Sequence, residues 1–306
     1  MELQAAQRQW LSTPRSWASA GHLAIAWSMY ALLALGALRS PFVLQLPIWL
    51  AMAWLLLGNG AVVHECTHRH LFGSAPLNRW VGTLAGAAVL LPFAVYRPYH
   101  LAHHRYTVAI QDPEGPPLRF HSRVEYPMLL AGGIAFLVRL STFGVATAFG
   151  HPPIWLRSGK QRRAATIDAV VCLVAAAAVV VLGIRDLRAL CAVWLVPWFV
   201  TITTLVPLVL VTEHYGAEVG TVEATDNTRT VVSNRLVRWL YWNNNFHTAH
   251  HQLPTVVHQR LPALDETSAG DRDAAWTSPG YLAFHRQTWA ALPGFSHTRK
   301  ARSTIV

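Results

Sequence analysis

Nine of the 16 histidines fall into groups whose spacing suits metal binding. His64 and His68 are four apart in His64-Glu65-Cys66-Thr67-His68. His100, His103 and His104 stand at i, i+3 and i+4, as do His247, His250 and His251, and His214 follows Glu213. Residues three and four apart share a helix face, so each cluster can aim two or three imidazoles at one point. Neutral imidazole is a ligand for iron, zinc, copper and nickel. Nine are too many for one ion, since a zinc site takes about four ligands. Two ions sharing nine nitrogens, with positions left for O2 or water, fit the count.

His22, His70, His121, His151, His258, His285 and His297 lack such company and read as surface or hydrogen-bonded residues. Asp112, Glu114 and Glu213 lie close to the clusters in sequence. They can orient ligands by accepting imidazole N–H bonds, or they are solvated loop carboxylates. The segment 64–68 also satisfies H-E-x-x-H, in which Glu65 would be the general base on a zinc-bound water of a membrane protease. That reading needs one further ligand and leaves both H-x-x-H-H clusters unexplained. In the two-metal reading, Glu65 supports a ligand or faces solvent.

The elements that position these residues are membrane-spanning helices. Hydrophobic residues make up 53% of the 306 and charged residues 13%, against about 25% charged in soluble domains. Four stretches approach the roughly 20 apolar residues a span requires, at 16–38, 42–63, 164–184 and 189–212. The stretch 80–96 is short, and 127–150 carries Arg139 near its centre, which costs at least ~2.5 kcal/mol in a bilayer. Both are expected to be interfacial or re-entrant. With four crossings, the N-terminus and residues 64–163 and 213–306 share one side. Arg157, Lys160, Arg162 and Arg163 make that side cytoplasmic, in an inner or plasma membrane. All four histidine groups then emerge on one face. The expectation is an all-α integral membrane protein. A four-helix stem carries a cytosolic helical cap, residues 1–264 form one domain, and 265–306 is a polar cytosolic tail.

The net charge of +10 invites a nucleic-acid reading, but the charges sit between apolar segments and in the tail, where topology explains them. Cys66, Cys172 and Cys191 suggest no disulfide framework. The first residues, MELQAAQRQWLSTPRSW, show no signal-peptide pattern.

Between Leu57 and Leu264 the chain resembles the membrane fatty acid desaturase superfamily, which also contains alkane and carotenoid hydroxylases. The resemblance rests on the 64–68 box, on Tyr99-His100-Leu101-Ala102-His103-His104-Arg105-Tyr106-Thr107, and on Asn245-Phe246-His247-Thr248-Ala249-His250-His251-Gln252-Leu253-Pro254. It implies a mushroom-like fold with two non-haem iron ions held by His64, His68, His100, His103, His104, His247, His250 and His251. His214 matches the further ligand after the last span. Where some members carry an Asn four residues before that ligand, this chain has Leu210. The run Asn243-Asn244-Asn245 is the alternative source of such a group, with Asn243 its first candidate.

The resemblance further implies O2 as co-substrate and oxidation of an unactivated chain. Loss of two hydrogens gives a double bond, and return of OH gives an alcohol. The surroundings of the boxes look most like those of bacterial acyl desaturases. The expected reaction is desaturation of a lipid- or carrier-linked fatty acyl chain, with hydroxylation of an alkane, acyl chain or specialised metabolite as the alternative. No His-Pro-Gly-Gly haem motif is present, so a separate ferredoxin, rubredoxin or small haem protein is expected to donate electrons. The basic surface suits such a partner or an acidic acyl carrier protein. The substrate is expected to enter an apolar tunnel from the bilayer or the cytosolic surface, past Trp239, Tyr241 or Trp242.

Overall fold

The computed structural model describes residues 5–115, 118–221, 223–268 and 277–293. The chain begins with α1 (Ala5–Ser12) and two long apolar helices, α2 (Ser16–Arg39) and α3 (Phe42–His68), which turn back on each other at Ser40-Pro41. α3 ends at Arg69, which adopts a left-handed φ of 64°. That turn brings His70 back beneath the helix, its N–H on the Glu65 carbonyl at 2.9 Å.

The 80–96 stretch is split between α4 (Ala75–Ala88) and α5 (Phe93–Tyr106), bent by 103° at the break. Leu90 has a φ of 61°, and Pro92 starts the new helix. Gly86 allows this fold-back, because a Cβ there would lie 2.3 Å from the Leu91 carbonyl oxygen. The last carbonyls of a helix lack intrahelical partners. Those of Ala88 and Val89 accept instead from the indoles of Trp194 (2.8 Å) and Trp198 (3.3 Å).

After a loop comes α6 (Leu129–Ala148), then α7 (Gly159–Arg185), opened by a capping box of Ser158 and Gln161. The last long helix is α8 (Leu187–Leu190), α9 (Val196–Val200) and α10 (Val206–His214) in one run, with two π-helical turns, Cys191–Leu195 and Thr201–Leu205, between them. Each turn is followed by a proline, which has no N–H to give. The carbonyls of Ala192 and Val193, before Pro197, accept from Trp49 Nε1 (3.1 Å) and the Tyr30 hydroxyl (2.9 Å). The Ile202 carbonyl, five residues before Pro207, faces α6 at Gly133, where a Cβ would come within 1.9 Å of it.

The rest is short: α11 (Ala224–Asn227), α12 (Arg235–Leu240), α13 (His247–Gln252), α14 (Leu261–Ser268) and α15 (Tyr281–Ala291). Strands β1 (Thr230–Val231) and β2 (Thr277–Ser278) pair in parallel, with Thr230 against Thr277. The fold is therefore all-α in substance. Among the described residues, Ala5–Arg39, Phe42–His68, Tyr126–Ala148, Gly159–Arg185 and Leu187–His214 are long and apolar enough to cross a membrane. The third of these is one more than the sequence predicts. Its Arg139 lies over the rings of Tyr99 (5.7 Å) and Phe143 (5.9 Å), which offset part of the cost of that charge.

The C-terminal part also differs from expectation. The sequence reads 265–306 as a polar tail, yet 277–293 packs on the body. Phe284 of α15 is buried with Leu129 and Val211, and His285 meets the Leu208 carbonyl at 2.7 Å. Two or three aromatics on one short helix suffice to dock it, a signal the polar neighbours obscure. The remainder of that tail, 269–276 and 294–306, lies outside the described residues.

Candidate metal centre

Four helix segments bring the nine histidines together: the end of α3, the second half of α5, the end of α10, and α13. They form two adjoining groups, each with ligand atoms within 4.8 Å of one another. His64, His68, His100, His104 and His250 make the first, and His103, His214, His247 and His251 the second. The grouping cuts across the sequence clusters, so the expectation that each cluster aims at a single point needs correction. Consecutive residues on a helix diverge by roughly 100°. His103 and His104 therefore face different centres, and so do His250 and His251.

The nitrogen geometry fits metal ions better than hydrogen bonds. His104 Nε2 lies 3.0 Å from His100 Nε2 and 2.9 Å from His250 Nε2. One nitrogen with at most one hydrogen cannot donate to both. In the second group His247 Nε2 and His214 Nε2 are 3.1 Å apart. Nε2 of His64, His68 and His251 is buried without a hydrogen-bond partner. Buried polar atoms are nearly always paired, and converging unpaired nitrogens are what a metal ion would satisfy. Burial, then the neighbouring histidines, hold the imidazoles of His247, His250 and His251 well below the usual histidine range. These rings are thus neutral and ready to ligate.

The far sides of several rings are fixed. Glu65 is fully buried, its two oxygens meeting His64 Nδ1 at 2.8 Å and His70 Nδ1 at 3.2 Å. Asp112 meets His103 Nδ1 at 3.0 Å and accepts the backbone N–H of Val108 (3.0 Å) and Glu114 (2.9 Å). His214 Nδ1–H donates to the Asn227 carbonyl at 2.8 Å. Each contact selects the tautomer that leaves Nε2 free for the centre. Glu114 stands further off, 3.8 Å from His100 Nδ1 and 3.7 Å from His103 Nδ1. Glu213 lies 3.7 Å from His247 Nε2 and accepts the Tyr241 hydroxyl at 3.2 Å.

Asn243 is placed otherwise than the sequence suggests. Its backbone is left-handed (φ 58°), and its amide donates to the His258 carbonyl at 3.0 Å, away from the histidine groups. Its neighbour Asn244 is the one that lines the cavity below. His70 is hydrogen-bonded, the second of the two roles expected of it, and is a buried partner of Glu65. Its position two residues after the H-E-x-x-H box is the signal that could have found it. His258, also buried, is pushed down to about 4 by burial.

A cavity of about 320 Å³ reaches both groups. His64 and His100 of the first line it, as do His103, His214 and His247 of the second. The other walls are mostly apolar, and include Leu56, Leu57, Val89, Leu91, Leu118, Leu129 and Leu210. Of the expected tunnel aromatics, Tyr241 lines it, whereas Trp239 and Trp242 stack on His22 at 4.4 and 3.7 Å between centroids.

Glu65→Gln tests the carboxylate support. The amide keeps the size but presents an NH2 group to one imidazole, which can rotate or change tautomer. Metal affinity is expected to fall ~10–100-fold, with the fold retained. A competition titration with a chelator reads it, and an affinity equal to wild type would mean that metal binding does not need both Glu65 oxygens as acceptors.

Two curated relatives match this chain over part of their length. An sn-1 oleoyl-lipid 12-desaturase of Picosynechococcus sp. is 38% identical over 78 residues, 26% of this chain and 21% of that protein. One of Arthrospira platensis is 32% identical over 73 residues, 24% of this chain and 21% of its own. The chain thus spans about a fifth of the length of the curated relatives it matches. The family model for fatty acid desaturases extends much further, over residues 39–280, and takes in every histidine of both groups. With that match across most of its length, the chain belongs to the fatty acid desaturase family.

Proposed function

We propose that this protein is an O2-dependent desaturase that holds two iron ions in its histidine groups and introduces a double bond into a fatty acyl chain. The observation that carries this reading is the shared apolar cavity, to which both groups contribute. A chain lying there passes both centres in surroundings that exclude water. Family membership and the names of the two relatives agree with it.

When bound and reduced, the two irons supply the O2-activating chemistry that breaks an unactivated C–H bond. Overall, one CH2–CH2 unit loses two hydrogens. O2 takes these, with two electrons and two protons from a separate donor, and leaves as two waters. A ferredoxin, a rubredoxin or a small haem protein is the proposed donor. Glu65, Asp112 and the Asn227 carbonyl hold His64, His103 and His214 in the ligating tautomer. The walls at Leu56, Leu57 and Leu91 hold the chain.

The proposed topology follows from the meeting of the groups. His103 and His214 lie 4.9 Å apart between ring centroids, so the chain makes an even number of crossings between them. α7 and the α8–α10 run supply two. α6 therefore enters the membrane surface without crossing, and the histidines face the side of the basic 157–163 loop, the cytoplasm. The protease alternative has no free base, because both Glu65 oxygens are taken by imidazoles.

The test is metal analysis of purified protein, followed by turnover of a lipid-linked oleoyl chain with a reduced donor and O2. About two irons per chain and a new double bond are expected. An alcohol product would favour the hydroxylase, and one zinc with no iron would overturn both.

A further inference from the structure

Helix α6 shows two stripes that meet at one residue. Leu129, Gly132, Gly133, Phe136 and Leu137 line the cavity, at the i, i+3, i+4, i+7 spacing of one helix face. The adjoining stripe, through Met128, Ala131, Ala135 and Val138, is exposed. Gly132 belongs to both, as it lines the cavity and is itself exposed. With no side chain there, the wall is one glycine thick. A Cβ at Gly132 would meet nothing within 4 Å. The next residue is the opposite case. Gly133 is closed against the Ile202 carbonyl and Pro207, so α6 and the last helix are sealed one step beyond the gap.

Leu118 and Leu210 share this double character, both lining the cavity and both exposed, at 52% and 39%. The exposed stripe of α6 is apolar around the opening, with Met128 at 70% and Val138 at 57%. In a membrane protein such a surface is solvated by lipid rather than water. Other lining residues, Leu56, Leu57, Val89 and Leu91, are buried. Both histidine groups contribute to the same cavity.

We infer that the gap at Gly132 is a lateral portal, through which an acyl chain still attached to a membrane lipid slides from the bilayer towards Leu56 and Leu57. This rests on the acyl-chain reading of the site and deepens it by choosing the lipid-linked over the carrier-linked substrate. A carrier protein delivers its chain from water, whereas this opening is rimmed by Leu118, Met128 and Leu210. The glycine has a specific role, since a bulky side chain there would stand in the passage, whereas a single methyl group would meet nothing within 4 Å.

The test is photo-crosslinking in nanodiscs of phosphatidylcholine that carries a diazirine near the methyl end of one acyl chain. Adducts are expected on the peptide containing Leu56–Ala61. Gly132→Trp and Leu210→Trp, each filling an exposed part of the cavity wall, are expected to lose those adducts while keeping metal content and the adducts on the outer surface. Gly132→Ala is expected to retain them. The same chain and diazirine presented as an acyl-carrier-protein thioester is expected to label that peptide no more than background. The inference is overturned if deep labelling persists in both tryptophan variants, if wild type shows none, or if only the carrier-linked probe gives it. No reductant or O2 is added, so the labelling stands apart from the reaction. Deep adducts here, with no desaturated product in the separate assay that supplies donor and O2, would refute the desaturase and leave the portal standing.

Discussion

His250→Ala and His103→Ala are expected to abolish turnover while each removes a different metal ion. His250 belongs to the five-histidine group and His103 to the four-histidine group. Each ring is buried within its group. Removing an orienting partner of a ligand costs ~10–100-fold in affinity, and removing the ligand itself should exceed that. Each variant is therefore expected to retain about one metal per chain rather than none, because the other group keeps its full set. The double variant should retain neither. His121→Ala is the control, as its side chain is 81% exposed and, among the described residues, pairs with Glu125. Elemental analysis beside product formation reads the outcome. Full metal and full turnover in both single variants would remove the basis for the two-ion site.

The split into five and four marks the limit of what spacing alone can say. Period 3.6 picks out the histidines because i, i+3 and i+4 share a face. It does not say which of two adjacent centres each ring serves, and the choice at His103 against His104 depends on where α3, α10 and α13 stand around α5. The long apolar runs were equally legible, since a bilayer demands them. The elements that close the site were not. Gly86 against the Leu91 carbonyl, and Gly133 against that of Ile202, are ordinary glycines in sequence and become necessary only once two backbones meet. Asn243 misled because three asparagines in a row offer three side chains, and the left-handed turn at Trp242 and Asn243 decides which one faces the cavity. Glu65 and His70 were in view as letters of a motif, but their pairing depends on the turn at Arg69.

Asp168→Ala is expected to produce a large loss of stability at a site away from the histidines. Asp168 sits on α7 with no exposed surface, and its carboxylate joins three elements. It accepts from the Arg79 guanidinium at 2.9 Å and the Thr83 hydroxyl at 3.0 Å, both on α4. Its other oxygen accepts the backbone N–H of Ala94 at 2.6 Å, in the first turn of α5. The first N–H groups of a helix need an acceptor from outside, and a carboxylate there also suits the helix dipole. Removing it strands a guanidinium, a hydroxyl and an amide together. Breaking a buried pair costs about 3–5 kcal/mol. The Arg79 side chain is 27% exposed, so water can reach part of it and the lower end applies, roughly 3 kcal/mol. That corresponds to a fall in melting temperature on the order of 5–10 °C. Asp168→Asn should cost less, because its carbonyl oxygen still serves one donor. Replacing both partners, in Arg79→Leu with Asp168→Leu, should recover part of the loss, since a buried pair exchanged for apolar packing is often neutral. Recovery stays partial because the Ala94 N–H remains without its acceptor. α5 carries His100, His103 and His104, so a loosened first turn should also weaken metal retention on heating. A melting temperature unchanged in Asp168→Ala would mean that α7 does not anchor α5, and that the histidine groups are held by their own contacts alone.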